Sequence, residues 1–167
     1  YVQADTSEAL AVKIVSLFPG NPGRGLAFIQ AAVLVLEADT GRALALLEGS
    51  SLTAIRTGAG SGAAIDILAR PDSRVLAVFG AGVQGRTQTE AACSVRKIET
   101  VWVYDASAEQ SKKFAAEMLG RGSIPADIHV AESPAQALKH ADIVCTATTS
   151  NTPVFDDRDL KAGTHIS

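Results

Sequence analysis

An apolar run, Val75-Leu76-Ala77-Val78-Phe79, enters Gly80-Ala81-Gly82-Val83-Gln84-Gly85, and a second apolar run, Val101-Trp102-Val103-Tyr104, ends on Asp105, 20 positions after Gly85. Strand, Gly-x-Gly-x-x-Gly turn, helix, strand and acid at this interval describe a βαβ unit of the kind that binds a dinucleotide. Each residue type has a physical reason to stand where it does. Gly80 permits the tight turn, Gly82 leaves the backbone open to a pyrophosphate, and Gly85 lets the helix pack close to the strand. The helix N-terminus brings free N–H groups and about half a positive charge to the phosphates. Asp105 accepts hydrogen bonds from ribose hydroxyls and repels a 2′-phosphate, which predicts NAD rather than NADP.

Beyond Arg74 the apolar pattern alternates between two periods. Strands are expected near 74–79, 100–105, 127–131, 142–147 and 163–167, and helices near 83–96, 107–119 and 133–140. Strands alternating with helices imply a doubly wound parallel sheet whose ligand sits at the carboxyl ends of the strands. Ser107-Ala108-Glu109-Gln110 is a capping-box pattern for the second of these helices. The first third reads differently. Ala11 to Val15 is a short strand, Phe18 to Gly25 a loop rich in Pro and Gly, and the runs Leu26 to Glu37 and Arg42 to Glu48 flank the hairpin signal Asp39-Thr40-Gly41. β-branched residues and Leu favour strands there, although the many alanines leave a helix open.

Ser50 to Arg70 reads as a helix capped by Ser50 or Ser51. Thr57-Gly58-Ala59-Gly60-Ser61-Gly62 is unusual inside it, because each Gly costs about 1 kcal/mol relative to Ala. A flexible linker is one explanation. Close packing against a sheet or a cofactor is the one favoured by the apolar continuation from Ala63 to Leu68. The resulting division is 1–50, part of a β-rich domain; 51–70, a linking helix; and 71–167, the dinucleotide-binding domain. Tyr1 opens just before an apparent strand and Thr164-His165-Ile166-Ser167 reads as the start of another, so the sequence is expected to continue at both ends.

A net charge of -3 gives no electrostatic case for nucleic acid. No apolar run reaches membrane-spanning length, and the opening residues lack the basic start and apolar core of a secretory signal. Two cysteines, Cys93 and Cys145, imply no disulfide framework and fit a cytoplasmic protein. His129, His140 and His165 have no metal-ligand spacing with each other or with the cysteines and read as surface or packing residues. Asp156-Asp157-Arg158-Asp159 reads as a solvated loop or helix start.

The run Ala141 to Ser150 reads as a buried strand ending in hydroxyls, with Thr146 and Thr148 at the ligand edge of the sheet. Arg56, followed by Thr57, carries the planar fork that suits a carboxylate or phosphate, although an Arg alone on a helix also reads as solvated surface. Lys13 interrupts the apolar Val12-Lys13-Ile14-Val15, and spacing alone favours an outward edge residue there.

Lys13-Ile14-Val15, Pro19-Gly20-Asn21-Pro22, Thr40-Gly41, Leu52-Thr53-Ala54-Ile55-Arg56-Thr57-Gly58-Ala59, the glycine fingerprint and Gly163-Thr164-His165-Ile166 occur in an order that resembles the ornithine cyclodeaminase/μ-crystallin family. The likeness covers nearly the whole chain and extends to the family's archaeal-type alanine dehydrogenases. It implies a homodimer with a Rossmann domain and a β-rich substrate and dimerisation domain. It implies that Lys13 contacts a substrate carboxylate or reacting centre and that Arg56 bridges substrate carboxylate and cofactor phosphate. Thr57, Gly80, Ala81, Gly82, Val83, Gln84 and Gly85 would then lie at the cofactor, with Asp105 on the ribose and Thr146 and Thr148 nearby. The implied activity is NAD-dependent hydride transfer at the α-carbon of an amino or imino acid, ornithine to proline plus ammonia. The alternatives are an alanine dehydrogenase, a Δ1-pyrroline-2-carboxylate or ketimine reductase, or a non-enzymatic binder of NAD(P)H and a small ligand. The family's catalytic Asp falls beyond Ser167, and an Arg of its substrate pocket falls before Tyr1. Phe28 stands where many relatives have Thr, which leaves the substrate open.

Overall fold

β-Branched and leucine side chains at alternating positions build the first unit, Tyr1–Thr53. The computed structural model describes residues 2–4 and 7–167; Tyr1, Asp5 and Thr6 lie outside the described residues. Strands β1 (Val2–Ala4), β2 (Ser7–Leu17), β3 (Ile29–Leu36) and β4 (Ala43–Glu48) pair antiparallel in sequence order. The strand expected at 11–15 is thus 11 residues long, and the Ala-rich runs form strands rather than a helix. In register, Lys13 stands opposite Val33 and Val33 opposite Leu47, while Val12, Leu34 and Leu46 line the other face. The expected hairpin turn is present, with Gly41 at φ 72° and the Gly41 N–H donating to the Glu37 carbonyl. Val33 is the one buried apolar side chain of this unit among the described residues.

The second unit, Ala54–Ser167, is built around β5 (Val75–Phe79). β6 (Thr100–Tyr104), β7 (Ile128–Val130), β8 (Ile143–Thr146) and β9 (His165–Ile166) join it in one parallel sheet of order β7-β6-β5-β8-β9. Numbered from β5, that is 3-2-1-4-5, the order of a doubly wound dinucleotide fold, with the switch of direction between β5 and β8. The expected parallel sheet is therefore the observed one. Period-2 alternation divides the core between two faces. Leu76 and Val78 face a cluster with Val101, Val103, Phe114 and Met118, whereas Ala77 and Phe79 face Ala137, Leu138 and Val144. Because β5 is buried on both faces, it carries no polar residue.

Helices α2 (Val83–Val95), α3 (Ala108–Met118) and α4 (Pro134–Leu138) connect these strands. Ser107 Oγ accepts from the Gln110 N–H at 3.4 Å and Ser133 Oγ from the Gln136 N–H at 3.2 Å. The capping box expected at Ser107 is only half formed by its own members. The Ser107 N–H goes to Asp105 Oδ1 at 2.9 Å, so the acid two residues earlier completes the cap.

α1 (Gly49–Leu68) differs from expectation in two ways. Its cap is neither Ser50 nor Ser51. The Glu48 carboxylate accepts both the Ser50 and the Ser51 N–H, at 2.7 and 2.8 Å, while the Ser50 hydroxyl is drawn off to the Ile29 carbonyl. Backbone hydrogen bonds from Ser51 and Ser50 hold the Glu48 pKa at about 2. Gly58 and Gly62, moreover, pack against α2 rather than against a sheet, while a Cβ on Gly60 would meet nothing within 4 Å. A Cβ on Gly58 would lie 2.7 Å from the Thr87 carbonyl oxygen, and one on Gly62 would lie 3.1 Å from the Ala91 Cβ.

Asp142, just ahead of β8, ties the strand starts together. Its carboxylate accepts from the Arg74 and Val75 N–H groups at 2.8 and 2.9 Å, and from Arg70 and Lys161, both at 2.7 Å. Cys93 and Cys145 are buried and unpaired. No helix among the described residues is long and apolar enough to cross a membrane.

Candidate functional site

At the carboxyl ends of β5, β6 and β8 the chain forms a cleft of about 650 Å³. Each strand contributes to it where its ladder ends: Phe79, Gly80 and Gly82 from β5, Tyr104, Asp105 and Ala106 from β6, and Ala147 to Ser150 with Pro153 and Val154 from the segment after β8. Two backbone bonds continue the sheet into the cleft floor, Gly80 N–H to the Tyr104 carbonyl at 2.9 Å and Ala147 N–H to the Phe79 carbonyl at 2.7 Å.

The three fingerprint glycines occupy different surroundings. Gly80 has φ 97°, and a Cβ on it would overlap the Ala147 carbonyl. A Cβ on Gly85 would overlap the Gly80 carbonyl. Both are required by the fold itself. Gly82 is different. It is the N-cap of α2 with φ −81° and ψ −166°, a backbone open to any residue, and an added Cβ would meet nothing within 4 Å. The fold leaves open space over this one residue, beside the helix start. Among the described residues the N–H groups of Gly82, Val83 and Gln84 donate to no protein acceptor, as the first turn of a helix requires. Unpaired donors, a helix start and an open backbone are features that suit an anion.

Asp105 stands at the end of β6, half-buried. Its Oδ2 accepts the Ala81 N–H at 2.8 Å and its Oδ1 the Ser107 N–H, so the carboxylate is fixed at the rim of the cleft. Val83 is exposed, and the buried Gln84 Oε1 finds no partner. Of the two threonines expected at the ligand edge, Thr148 lines the cleft. Thr146 ends β8 and turns its hydroxyl to the Ser167 carbonyl at 3.1 Å.

Within the second unit, Arg56 and Thr57 do not line this cleft. Lys13 Nζ donates to Thr53 Oγ1 at 2.6 Å, and Thr53 donates in turn to the Gly49 carbonyl. Arg56 is exposed in α1 and makes no ion pair or hydrogen bond among the described residues; Thr57 beside it is half-buried. His165 Nε2 is buried without a partner, and burial, then the nearby Arg96 charge, push its pKa down, so it favours the neutral form. No cluster of three or more potential metal ligands occurs among the described residues.

Ala106, Pro153 and Val154 line the cleft without having been singled out, and Tyr104, Ala147, Thr149 and Ser150 were marked only as members of the runs that lead to it. The available signal was positional, since residues just past the ends of parallel strands collect at the ligand edge.

Residues 2–167 match the model of the ornithine cyclodeaminase/mu-crystallin family. A Delta(1)-pyrroline-2-carboxylate reductase of Bacillus cereus is 40% identical over 164 residues, 98% of this chain and 50% of the relative. The solved Delta(1)-pyrroline-2-carboxylate reductase of Thermococcus litoralis, in complex with NADH and L-proline, superposes with a TM-score of 0.90 at 47% identity, over 95% of this chain and 49% of that one. An archaeal alanine dehydrogenase dimer with bound NAD superposes at 0.85 with 35% identity, over 93% of this chain and 47% of that one. The chain spans about half the length of the curated relatives it matches.

Proposed function

The chain belongs to the ornithine cyclodeaminase/mu-crystallin family, and we propose that it carries the cofactor half of an NAD-dependent oxidoreductase acting at the α-carbon of an amino or imino acid. The observation that carries this reading is Gly82: nothing in the fold needs a glycine there, yet the space above it adjoins three unpaired N–H donors. A pyrophosphate fits that space and those donors. The Asp105 carboxylate at the cleft rim fits ribose hydroxyls and disfavours a 2′-phosphate. When bound, the nicotinamide would supply or accept hydride; the protein's part is to hold it, orient it and exclude water. Gly80 and Gly85 would shape the turn, Ala81, Gly82, Val83 and Gln84 would meet the pyrophosphate, and Thr148 would face the cofactor across the cleft. Thr57 and Thr146 remain cofactor contacts implied by the resemblance alone. Lys13 and Arg56 are proposed, each by itself, to contact substrate carboxylate; the exposed, unpaired guanidinium of Arg56 suits that role.

Within this class we propose reduction of a cyclic imino acid such as Δ1-pyrroline-2-carboxylate, rather than the ornithine cyclodeamination expected from the resemblance. The reductases at 40% and 47% identity support that choice. A homodimer and a cytoplasmic setting belong to the same proposal.

The natural polypeptide should consume NADH when given Δ1-pyrroline-2-carboxylate and accumulate proline in equal amount. NADH left untouched, with ammonia released from ornithine on a trace of NAD⁺, would move the reading to a cyclodeaminase. Binding of NADH without either reaction would leave the binder, and no binding would overturn the cofactor assignment.

A further inference from the structure

Arg86 follows the glycine fingerprint directly and is no part of it, yet its guanidinium is held on three sides. Nη1 donates to the Ala81 carbonyl and, at 3.1 Å, to the Gly82 carbonyl. Nε and Nη2 donate to Glu117 Oε2 of α3 at 3.1 and 2.7 Å. The guanidinium carbon lies 5.4 Å from the centroid of the fully buried Phe114 ring, within cation–π range. The hydrogen bond from Arg86 keeps the Glu117 carboxyl below its usual range, so the pair stays charged at neutral pH.

In a trans peptide the C=O and N–H point in opposite directions. With the Ala81 and Gly82 carbonyls held on the Arg86 side, the Gly82 and Val83 N–H groups are turned to the other side, away from the guanidinium. From a second direction Asp105 takes the Ala81 N–H. The turn is therefore gripped by its carbonyls and by the Gly80 and Ala81 amides, and the amides that remain are the unpaired ones.

We infer that Arg86 is a positioning residue for pyrophosphate: its guanidinium fixes the Ala81 carbonyl, and together with its own backbone N–H the Gly82 carbonyl, so that the Gly82 and Val83 amides stand ready for an anion, while Glu117 and Phe114 hold the guanidinium in place. This rests on the reading of the cleft as a dinucleotide site. It differs from a direct phosphate contact in one decisive respect. A guanidinium that served as an anion ligand would bind better once freed from Glu117; one that serves as a clasp would work worse.

The test measures NADH affinity of the natural polypeptide by the change in NADH fluorescence on binding, with ADP and adenosine as competitors. Arg86→Gln should weaken NADH and ADP about tenfold and leave adenosine within about twofold, the size expected for losing charge-assisted hydrogen bonds that shape the anion site. Glu117→Gln should weaken ADP in the same direction but less. Arg86→Lys, which keeps the charge without the fork, should restore only part of the loss and covers the case of a poorly folded glutamine variant. Unchanged ADP affinity, equal losses for ADP and adenosine, full rescue by Lys, or tighter ADP binding in Glu117→Gln would each overturn the inference. Failure of the unaltered natural polypeptide to bind NADH would instead overturn the cofactor reading.

Discussion

Replacing Gly82 with serine would separate what the glycine turn does for folding from what it does for binding. On the folding side the change is free of strain, because the backbone is extended and no atom lies within 4 Å of the new Cβ. Gly82 caps α2 without a side-chain hydrogen bond. Serine is among the preferred N-caps and glycine trails it by only a few tenths of a kcal/mol, so the melting temperature should hold or rise by about 1 °C. On the binding side, Cβ and Oγ would fill the space in which a pyrophosphate meets the backbone. Overpacking of about 1–3 kcal/mol there corresponds to NADH binding about 5- to 150-fold weaker. Thermal unfolding followed by circular dichroism, together with an NADH titration, reads both quantities on one sample. Gly85→Ser is the control, since its Cβ would overlap the Gly80 carbonyl and should damage the fold itself. Undiminished NADH affinity in Gly82→Ser would show that no pyrophosphate lies over this residue. A melting point lowered by more than about 5 °C, over 1 kcal/mol, would show that the turn is not open as described.

Two glycines of α1 should respond to alanine with opposite signs. Gly60→Ala meets nothing within 4 Å and should raise the melting temperature by about 2–4 °C, from about 1 kcal/mol of helix propensity. Gly58→Ala gains the same propensity but drives a Cβ against the Thr87 backbone, for a net loss of about 1–2 kcal/mol; equal responses would refute the packing account. Asp142→Asn tests the strand-start tie. Burial alone would raise the Asp142 pKa, but the Lys161 hydrogen bond and the Arg74 and Val75 N–H groups outweigh it, so the folded value lies below the unfolded one. The stabilisation is then fully present above about pH 4 and is lost as pH falls through the folded value. Urea midpoints should show a deficit of about 1–3 kcal/mol for Asp142→Asn at neutral pH that shrinks in acid; a deficit independent of pH would mean that the charge is not what matters.

The second unit was legible because each of its signals is local. A strand buried on both faces must be apolar throughout, and the glycines and the acid sit within one βαβ unit. What escaped the reading depended on partners distant in sequence. Ser50 is a preferred N-cap by type, but a strand carbonyl, that of Ile29, captures its hydroxyl, and Glu48 reaches forward in its place. The glycines of α1 announced a close neighbour without saying which, and only the fold brings Thr87 and Ala91 against them. Thr146 and Thr148 share a face in an ideal strand. β8 ends at Thr146, however, so the alternation that grouped them stops between them, and the hydroxyl of Thr146 goes to Ser167. Arg86 was invisible as a functional residue because its meaning lies in Glu117 and Phe114, a helix away.

Asp105 couples two traits that are usually treated as separate. One oxygen holds the Ala81 N–H and the other holds the Ser107 N–H. A substitution made to admit a 2′-phosphate would therefore also release the glycine turn or the start of α3, since serine or asparagine offers a single acceptor oxygen in place of two. Drift from one cofactor to the other would pass through a loosened intermediate unless a neighbouring residue first supplied the missing acceptor. Redesign of the preference is accordingly a problem of at least two substitutions, and the order in which they arrive decides whether the turn and the start of α3 stay held on the way.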